Sequence, residues 1–147
     1  MLNNILADFY ERDINKMIEE INAFKKDENI WRTSGTIKNS CGNLVLHIIG
    51  GTNYLIGKQL GKTDFIRNRD NEFIEKNLPR DFLISELEKL KILVRKIFAN
   101  LTEKEMESDF PITFDNASNP TNYVLIQLLA HLNYHLGQIN YLRRALE

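Results

Sequence analysis

Four long stretches of this sequence place apolar residues three or four positions apart, which is the spacing of an amphipathic α-helix. No stretch alternates apolar and polar residues convincingly enough to indicate a β-strand. We therefore predict an all-α fold, a four-helix bundle, with one domain covering residues 1–147. The predicted helices run from about Leu2 to Phe24, from near Ser40 to Gly61, from about Arg80 to Asn100, and from Pro120 almost to Glu147.

Residues with strong terminal preferences support several of these helix ends. Gly61 is predicted to end the second helix in a left-handed conformation. Asn119-Pro120 supplies an N-cap followed by a proline, a common helix start. Thr102 and Glu105 have the spacing of a capping box and predict one short additional turn.

The connection from Lys62 to Pro79 is about 18 residues long, too long for a tight turn between antiparallel helices. We expect it to cross one end of the bundle. It contains Arg67, Arg69 and Glu72, and an arginine there is a candidate for holding an anionic substrate. The alternative interpretation is an ion pair at a solvent-facing loop.

Charge and cysteine content exclude several classes of protein. The chain has 19 basic and 20 acidic residues, so nothing in its charge indicates a nucleic-acid partner or an anionic membrane surface. Its single cysteine, Cys41, excludes an intramolecular disulfide and a cysteine-based zinc cluster. Without a signal-peptide pattern or an apolar run of about 18 residues, we expect a cytoplasmic protein with no membrane partner.

The three histidines are the residues that point to chemistry. His131 and His135 are four apart, so they project from one face of the fourth helix and can reach the same metal ion. His47 lies in the second apolar helix and would complete the set if these two helices pack side by side. Three neutral imidazoles suit zinc, nickel, copper or iron, and they leave a coordination position open, as catalytic sites do.

Polar and small residues share the predicted faces of the histidines. Amide side chains there are candidates for holding imidazole N–H groups, and small residues would leave room for a substrate beside the metal. The amides are Asn43, Gln127 and Gln138, and the small residues are Gly50 and Gly51. Arg69 and Glu72 in the long connection are further candidates for contact with a substrate.

The histidines allow two other interpretations. A histidine in an apolar helix is commonly a hydrogen-bonded core residue, but three such residues in strongly apolar contexts need an explanation because unpaired buried imidazoles are costly. The segment from His131 to His135 is also similar to the zinc-protease pattern H-E-x-x-H. Leu132 occupies the glutamate position, which removes the general base that peptide hydrolysis requires.

The histidine segments resemble those of a known superfamily. The stretch Asn43-Leu-Val-Leu-His47, together with Leu129-Ala-His131-Leu-Asn-Tyr-His135-Leu-Gly-Gln138-Ile139, is similar to the DinB-like metalloproteins, the damage-inducible, YfiT-like helical proteins. The resemblance covers essentially the whole chain in helix order and length. The stretch from Arg67 to Phe73 resembles one found in uncharacterised bacterial branches of that superfamily.

The resemblance implies an up-down-down-up bundle in which a long connection joins helices 2 and 3. It implies one divalent metal, nickel or zinc, bound by His47, His131 and His135. It also implies a homodimer acting on a small-molecule substrate. Characterised relatives include transferases that use a low-molecular-weight thiol such as bacillithiol, and others are described as metal-dependent hydrolases.

Three functions are therefore open at the level of sequence. The leading hypothesis is a metal-dependent enzyme that transfers a low-molecular-weight thiol to an electrophilic substrate. The second is a metal-dependent hydrolase that uses metal-bound water, although no buried general base is evident. The third is a non-catalytic, metal-binding helical module.

Overall fold

The computed structural model describes residues 1–147, and its regular secondary structure is all helical. A 3-10 turn at Asp27–Trp31 follows the first helix, and the second helix continues directly into a π-helical segment at Asn53–Lys58. The α-helices are α1 (Leu2–Ala23), α2 (Cys41–Thr52), α3 (Arg69–Ile74), α4 (Arg80–Asn100), α5 (Glu103–Glu107) and α6 (Thr121–Leu146). The predicted all-α class is confirmed, while α3 and the 3-10 turn are additions to it.

The long helices surround one main hydrophobic core. Helix α1 packs against α4 and α6, and α2 also packs against α4 and α6. The core contains 28 buried residues, among them Tyr10, Phe98 and Leu125. Burying each large apolar side chain contributes roughly 1.5–3 kcal/mol, so this core dominates the stability of the fold. The packing makes α2 and α6, which carry the histidines, direct neighbours.

Helix ends follow the predicted signals in most places. Helix α4 has the predicted bounds, and Thr102 forms a complete capping box with Glu105 at the start of α5. Pro120 rather than Asn119 stands at the N-cap of α6, and Thr121 opens the helix while its hydroxyl donates to the Ser108 carbonyl. None of the helices has the length and hydropathy that crossing a membrane requires.

The prediction that Gly61 ends the second helix in a left-handed conformation is wrong. The left-handed residue is Lys62, with φ of 57°. Gly61 instead lies so close to α4 that an added Cβ would be 2.4 Å from Ile97 Cδ1. Its missing side chain therefore permits close helix packing, and the turn forms one residue later.

Candidate metal centre

Helix α2 positions His47 beside the core. Ser40 caps the helix by accepting a hydrogen bond from the Asn43 backbone N–H, at 3.2 Å. From this start, Leu44, Val45 and Ile48 are buried in the core. The His47 side chain is left 11% exposed, at the edge of the core that faces α6.

Helix α6 presents His131 and His135 one turn apart. Their ring centroids are 4.4 Å apart. His131 is exposed and His135 is half-buried, so the expectation of strongly buried surroundings for all three histidines is wrong for His131. The reason is that His131 stands at the margin of the α2–α6 contact. Its exposure opens the cluster to solvent.

Imidazoles from the two helices converge on one point. One ligand nitrogen from each of His47, His131 and His135 lies within 4.8 Å of the other two. The Nε2 atoms of His47 and His131 are 3.1 Å apart. With metal–nitrogen distances of about 2.0–2.1 Å in protein sites, two nitrogens on one ion are at most about 4.2 Å apart. The pair from His47 and His131 already meets this limit, and a small movement of side chains would bring the third nitrogen within it.

Side chains outside the cluster orient two of the three rings. His47 Nδ1 lies 3.1 Å from Glu72 Oε1, and His135 Nδ1 lies 2.7 Å from Gln138 Oε1. When Nδ1–H donates to an oxygen, the lone pair of the imidazole is on Nε2. Glu72 and Gln138 therefore direct the Nε2 lone pairs of both rings to the cluster.

These residues fit a divalent metal ion. His135 Nε2 is buried and has no hydrogen-bond partner in the chain. An unpaired buried nitrogen costs free energy unless something binds it. His135 is one of the three residues of the cluster, and Gln138 already holds its Nδ1, so Nε2 is the nitrogen that this ring has left to offer. An ion at the cluster would satisfy it.

The charge state of the rings also suits metal binding. Partial burial, with repulsion from the other imidazoles and Arg67, lowers the pKa of His131 to about 4. Burial likewise lowers the pKa of His47, and the hydrogen bond to Glu72 opposes that shift. Both rings are therefore neutral at pH 7, which is the form that binds metals.

Glu72 is buried beside the cluster and paired with Arg67. Arg67 Nε donates to Glu72 Oε2 and Arg67 Nη2 donates to Oε1, both at 2.8 Å. The Glu72 side chain is 7% exposed and that of Arg67 16%, so the interpretation as a solvent-facing ion pair is wrong. The pair forms because α3 folds the connection back onto α2.

The glycine pair of α2 accommodates this ion pair. A Cβ on Gly50 would lie 2.0 Å from Glu72 Oε2, and a Cβ on Gly51 would lie 3.3 Å from Arg67 Nη2. The expectation that Gly50 leaves room for a substrate is therefore wrong, because the Glu72 carboxylate fills that space. Gly51 does line a cavity next to His47.

Three other candidate residues lie in places the sequence did not indicate. Asn43 does not contact an imidazole, and its amide donates to the Glu72 and Glu75 carbonyls at 3.0 and 2.8 Å. Gln127 forms no hydrogen bond with a histidine but lines the same cavity as His131. Arg69 is exposed, lies over the Phe73 ring at 5.6 Å, and forms no hydrogen bond with a histidine.

Two contributions to the site were missed in the sequence. The Phe73 ring packs beside His47, with centroids 5.0 Å apart. Asp13 is fully buried and accepts a hydrogen bond from Asn133, which ties α1 to the segment of α6 between the two histidines. In the sequence, Asp13 interrupts the apolar spacing of α1. The signal in the sequence was a carboxylate at a position that the apolar spacing predicts to be buried, since a buried carboxylate needs a polar partner.

Two cavities flank the histidines. One, of about 180 Å³, is lined by His47 and His131 together with Arg67 and apolar side chains. The other, of about 520 Å³, is lined by His135 and Gln138 together with residues such as Lys38 and Tyr141. Each cavity thus has at least one of the three histidines in its wall.

The fold of this chain is similar to that of solved DinB-like helical proteins. The crystal structure of a DinB-like protein (YjoA) from Bacillus subtilis superposes with a TM-score of 0.70 at 17% identity, covering 96% of this chain and 91% of that one. A DinB-like protein from Bacillus cereus gives a TM-score of 0.70 at 17% identity, covering 90% and 85%. The resemblance seen in the sequence is thereby confirmed at the level of fold.

The chain belongs to the family described as Protein of unknown function (DUF1572), whose model matches residues 2–147. The search of the curated proteins finds no match to this sequence.

Proposed function

We propose that this protein is a metal-dependent enzyme that binds one divalent ion, nickel or zinc, through His47, His131 and His135. In this proposal it transfers a low-molecular-weight thiol, such as bacillithiol, to a small electrophilic substrate. The observation that carries the proposal is the convergence of three imidazole nitrogens within 4.8 Å, one of them buried and unpaired.

A divalent ion there would act as a Lewis acid and lower the pKa of a thiol or water at its open position. The chain's own residues hold the arrangement in place. Glu72 keeps the His47 ring in the tautomer with a free Nε2, and Arg67 neutralises that carboxylate. The exposure of His131 leaves one side of the cluster free for a reactant.

Two observations favour thiol transfer over hydrolysis. Both oxygens of Glu72 are engaged, Oε1 by His47 and Arg67 and Oε2 by Arg67, so this carboxylate is not free to accept a proton from water. The two flanking cavities also provide separate places for two reactants. A metal-dependent hydrolase remains the second proposal, and a non-catalytic module is the third.

Metal content decides whether the site exists. We expect the wild type to retain about one divalent ion per chain and His131→Ala to lose it, measured by elemental analysis after purification. Tyr123→Ala, an exposed change on the same helix without contact to a histidine ring, is the matched control and should retain the metal. Equal metal content in the wild type and His131→Ala would contradict both enzyme proposals, because each needs the ion at the three histidines.

Activity separates the two enzymes. With bacillithiol and a haloalkyl electrophile, a sulfur–carbon bond forms, halide leaves, and the thiol proton passes to solvent. We expect conjugation that depends on added metal and is absent in His131→Ala. In the cobalt-substituted protein, thiol should change the visible spectrum; an unchanged spectrum without conjugation would favour the hydrolase.

We also propose that the four long helices run up-down-down-up and that the chain forms a homodimer. The packing of α1 and of α2 against both α4 and α6 supports a four-membered helical arrangement. Light scattering coupled to size-exclusion chromatography tests the dimer, since a monomer at micromolar concentration would overturn it.

A further inference from the structure

The smaller cavity next to the cluster combines an apolar wall with a single charge. Its volume is about 180 Å³, and Leu55, Val124 and Leu128 are among its apolar lining residues. Arg67 is the only lining residue with a formal charge, and no carboxylate lines the cavity. An anion entering it would meet the Arg67 guanidinium, whose attraction is partly offset by Glu72 on the other side of that guanidinium.

Arg67 has one donor group that the chain does not use. Glu72 takes Nε and Nη2, and Nη2 also lies 3.4 Å from His47 Nδ1. Nη1 makes no hydrogen bond within the chain. Because Glu72 fixes the other side of the planar guanidinium, the two N–H bonds of Nη1 are held in place before any ligand arrives.

The size of the cavity limits what it accepts. Cavities of about 150 Å³ lined by apolar side chains accept benzene. A volume of about 180 Å³ therefore suits a single aromatic ring or a short branched chain with one small polar group.

We propose that this cavity binds a small aromatic or branched aliphatic carboxylic acid. Its apolar part packs against Leu55, Val124 and Leu128, and its carboxylate accepts hydrogen bonds from Arg67 Nη1. This inference rests on the proposed function, because it places the acid beside the metal centre, at His47 and His131. It names the substrate class that the site takes.

The test compares two probes of similar shape, benzoate and benzyl alcohol. Both are titrated by ligand-observed NMR into protein stripped of metal and dialysed free of chelator, so that no metal contributes to binding. We expect benzoate to bind the wild type about tenfold or more tightly than benzyl alcohol, because a charge-assisted hydrogen bond replaces a neutral one. Equal affinities for the two probes would overturn the proposal.

Variants assign the effect to the cavity and its arginine. Arg67→Gln should lose about tenfold or more of its affinity for benzoate while binding benzyl alcohol as the wild type does. Leu128→Phe fills the cavity without touching Arg67 and should weaken both probes. Arg69→Gln, which removes an exposed charge two residues away, is the matched control and should match the wild type.

Wild-type benzoate affinity in Arg67→Gln, or in Leu128→Phe, would also overturn the proposal. If Arg67→Gln does not fold, the wild-type comparison and Leu128→Phe still decide it. Zinc content is measured on separate, untreated samples. A protein that binds benzoate but no zinc contradicts the metal centre alone, and one that binds zinc but not benzoate contradicts this inference alone.

Discussion

At the scale of single residues, Glu72 acts through His47 rather than on a reactant. Its buried carboxylate accepts a hydrogen bond from His47 Nδ1, the ring nitrogen that faces away from the cluster. The same carboxylate forms an ion pair with Arg67. Outer carboxylates of this kind fix the orientation of a metal-binding imidazole and raise its basicity. The pairing also explains how an acidic residue is tolerated with 7% of its side chain exposed.

Removing the charge of Glu72 should weaken metal binding. Glu72→Gln keeps the shape of the side chain but places a neutral amide beside Arg67. It also weakens the hydrogen bond that orients the His47 ring. We expect the affinity for zinc to fall about 10–100-fold, measured by competition with a chromophoric chelator. Asp70→Asn, an exposed change in the same helix, should have no effect, and an unchanged affinity in Glu72→Gln would contradict this role.

Two glycines offer a matched pair of alanine substitutions. In Gly50→Ala the new Cβ would meet Glu72 Oε2 at 2.0 Å, whereas in Gly137→Ala it would meet nothing within 4 Å. We expect Gly50→Ala to lose about 1–3 kcal/mol of stability and to bind zinc more weakly, because Glu72 must move. Gly137→Ala should gain up to about 1 kcal/mol, since alanine favours a helix over glycine.

Chemical denaturation with a zinc titration measures both variants. A Gly50→Ala protein with the stability and zinc affinity of the wild type would show that Glu72 is not held against α2 at Gly50.

At the scale of elements, the connection between α2 and α4 is part of the site because Asn43 anchors it. The buried amide of Asn43 donates to the Glu72 and Glu75 carbonyls, and its oxygen accepts from Lys76 Nζ at 2.8 Å. These bonds hold the end of α3 against the first turn of α2. As a result, the Glu72 side chain lies further along α2, beside His47 and Gly50.

Cutting this anchor should loosen α3 more than the rest of the fold. Asn43→Ala leaves carbonyls of Glu72 and Glu75 without their donor, which costs about 1–3 kcal/mol. We expect faster hydrogen exchange of the α3 amides and a lower unfolding free energy. Asn71→Ala, an exposed change in α3, is the control, and unchanged exchange at α3 in Asn43→Ala would refute the anchoring role.

At the scale of the whole molecule, the site lies outside the main source of stability. The core of 28 buried apolar residues joins all four long helices without the histidines, so we expect the chain to fold without a metal. A metal that binds only the folded chain nevertheless adds stability by mass action.

Metal should therefore raise the melting temperature without being required for folding. At a free zinc concentration about 100 times Kd the gain is about 2.7 kcal/mol, which corresponds to roughly 5–10 °C for a domain of this size. The metal-free protein should still unfold in one cooperative transition. Scanning calorimetry checks both statements, with His131→Ala showing no shift; a metal-free chain that is unfolded would contradict them.

Much of the helix pattern was predictable because it depends on local periodicity. The bounds of α4, the capping box at Thr102, and the shared face of His131 and His135 all follow from spacings of three and four residues. Short α3 was missed because six residues carry too little periodicity to stand out. Gly61 was misassigned because a glycine that ends a helix and one that admits a neighbouring helix look the same in sequence.

The helical class and the faces on which the histidines stand follow from local sequence, since both are set by residues within a turn or two of each other. The meeting of His47 and His131 across 84 positions of the chain, and the filling of the space at Gly50 and Gly51 by Glu72 and Arg67, come from the packing of the helices. Such contacts depend on how α2, α3 and α6 pack. Packing is set by the combined burial of side chains from distant segments, which no local pattern records.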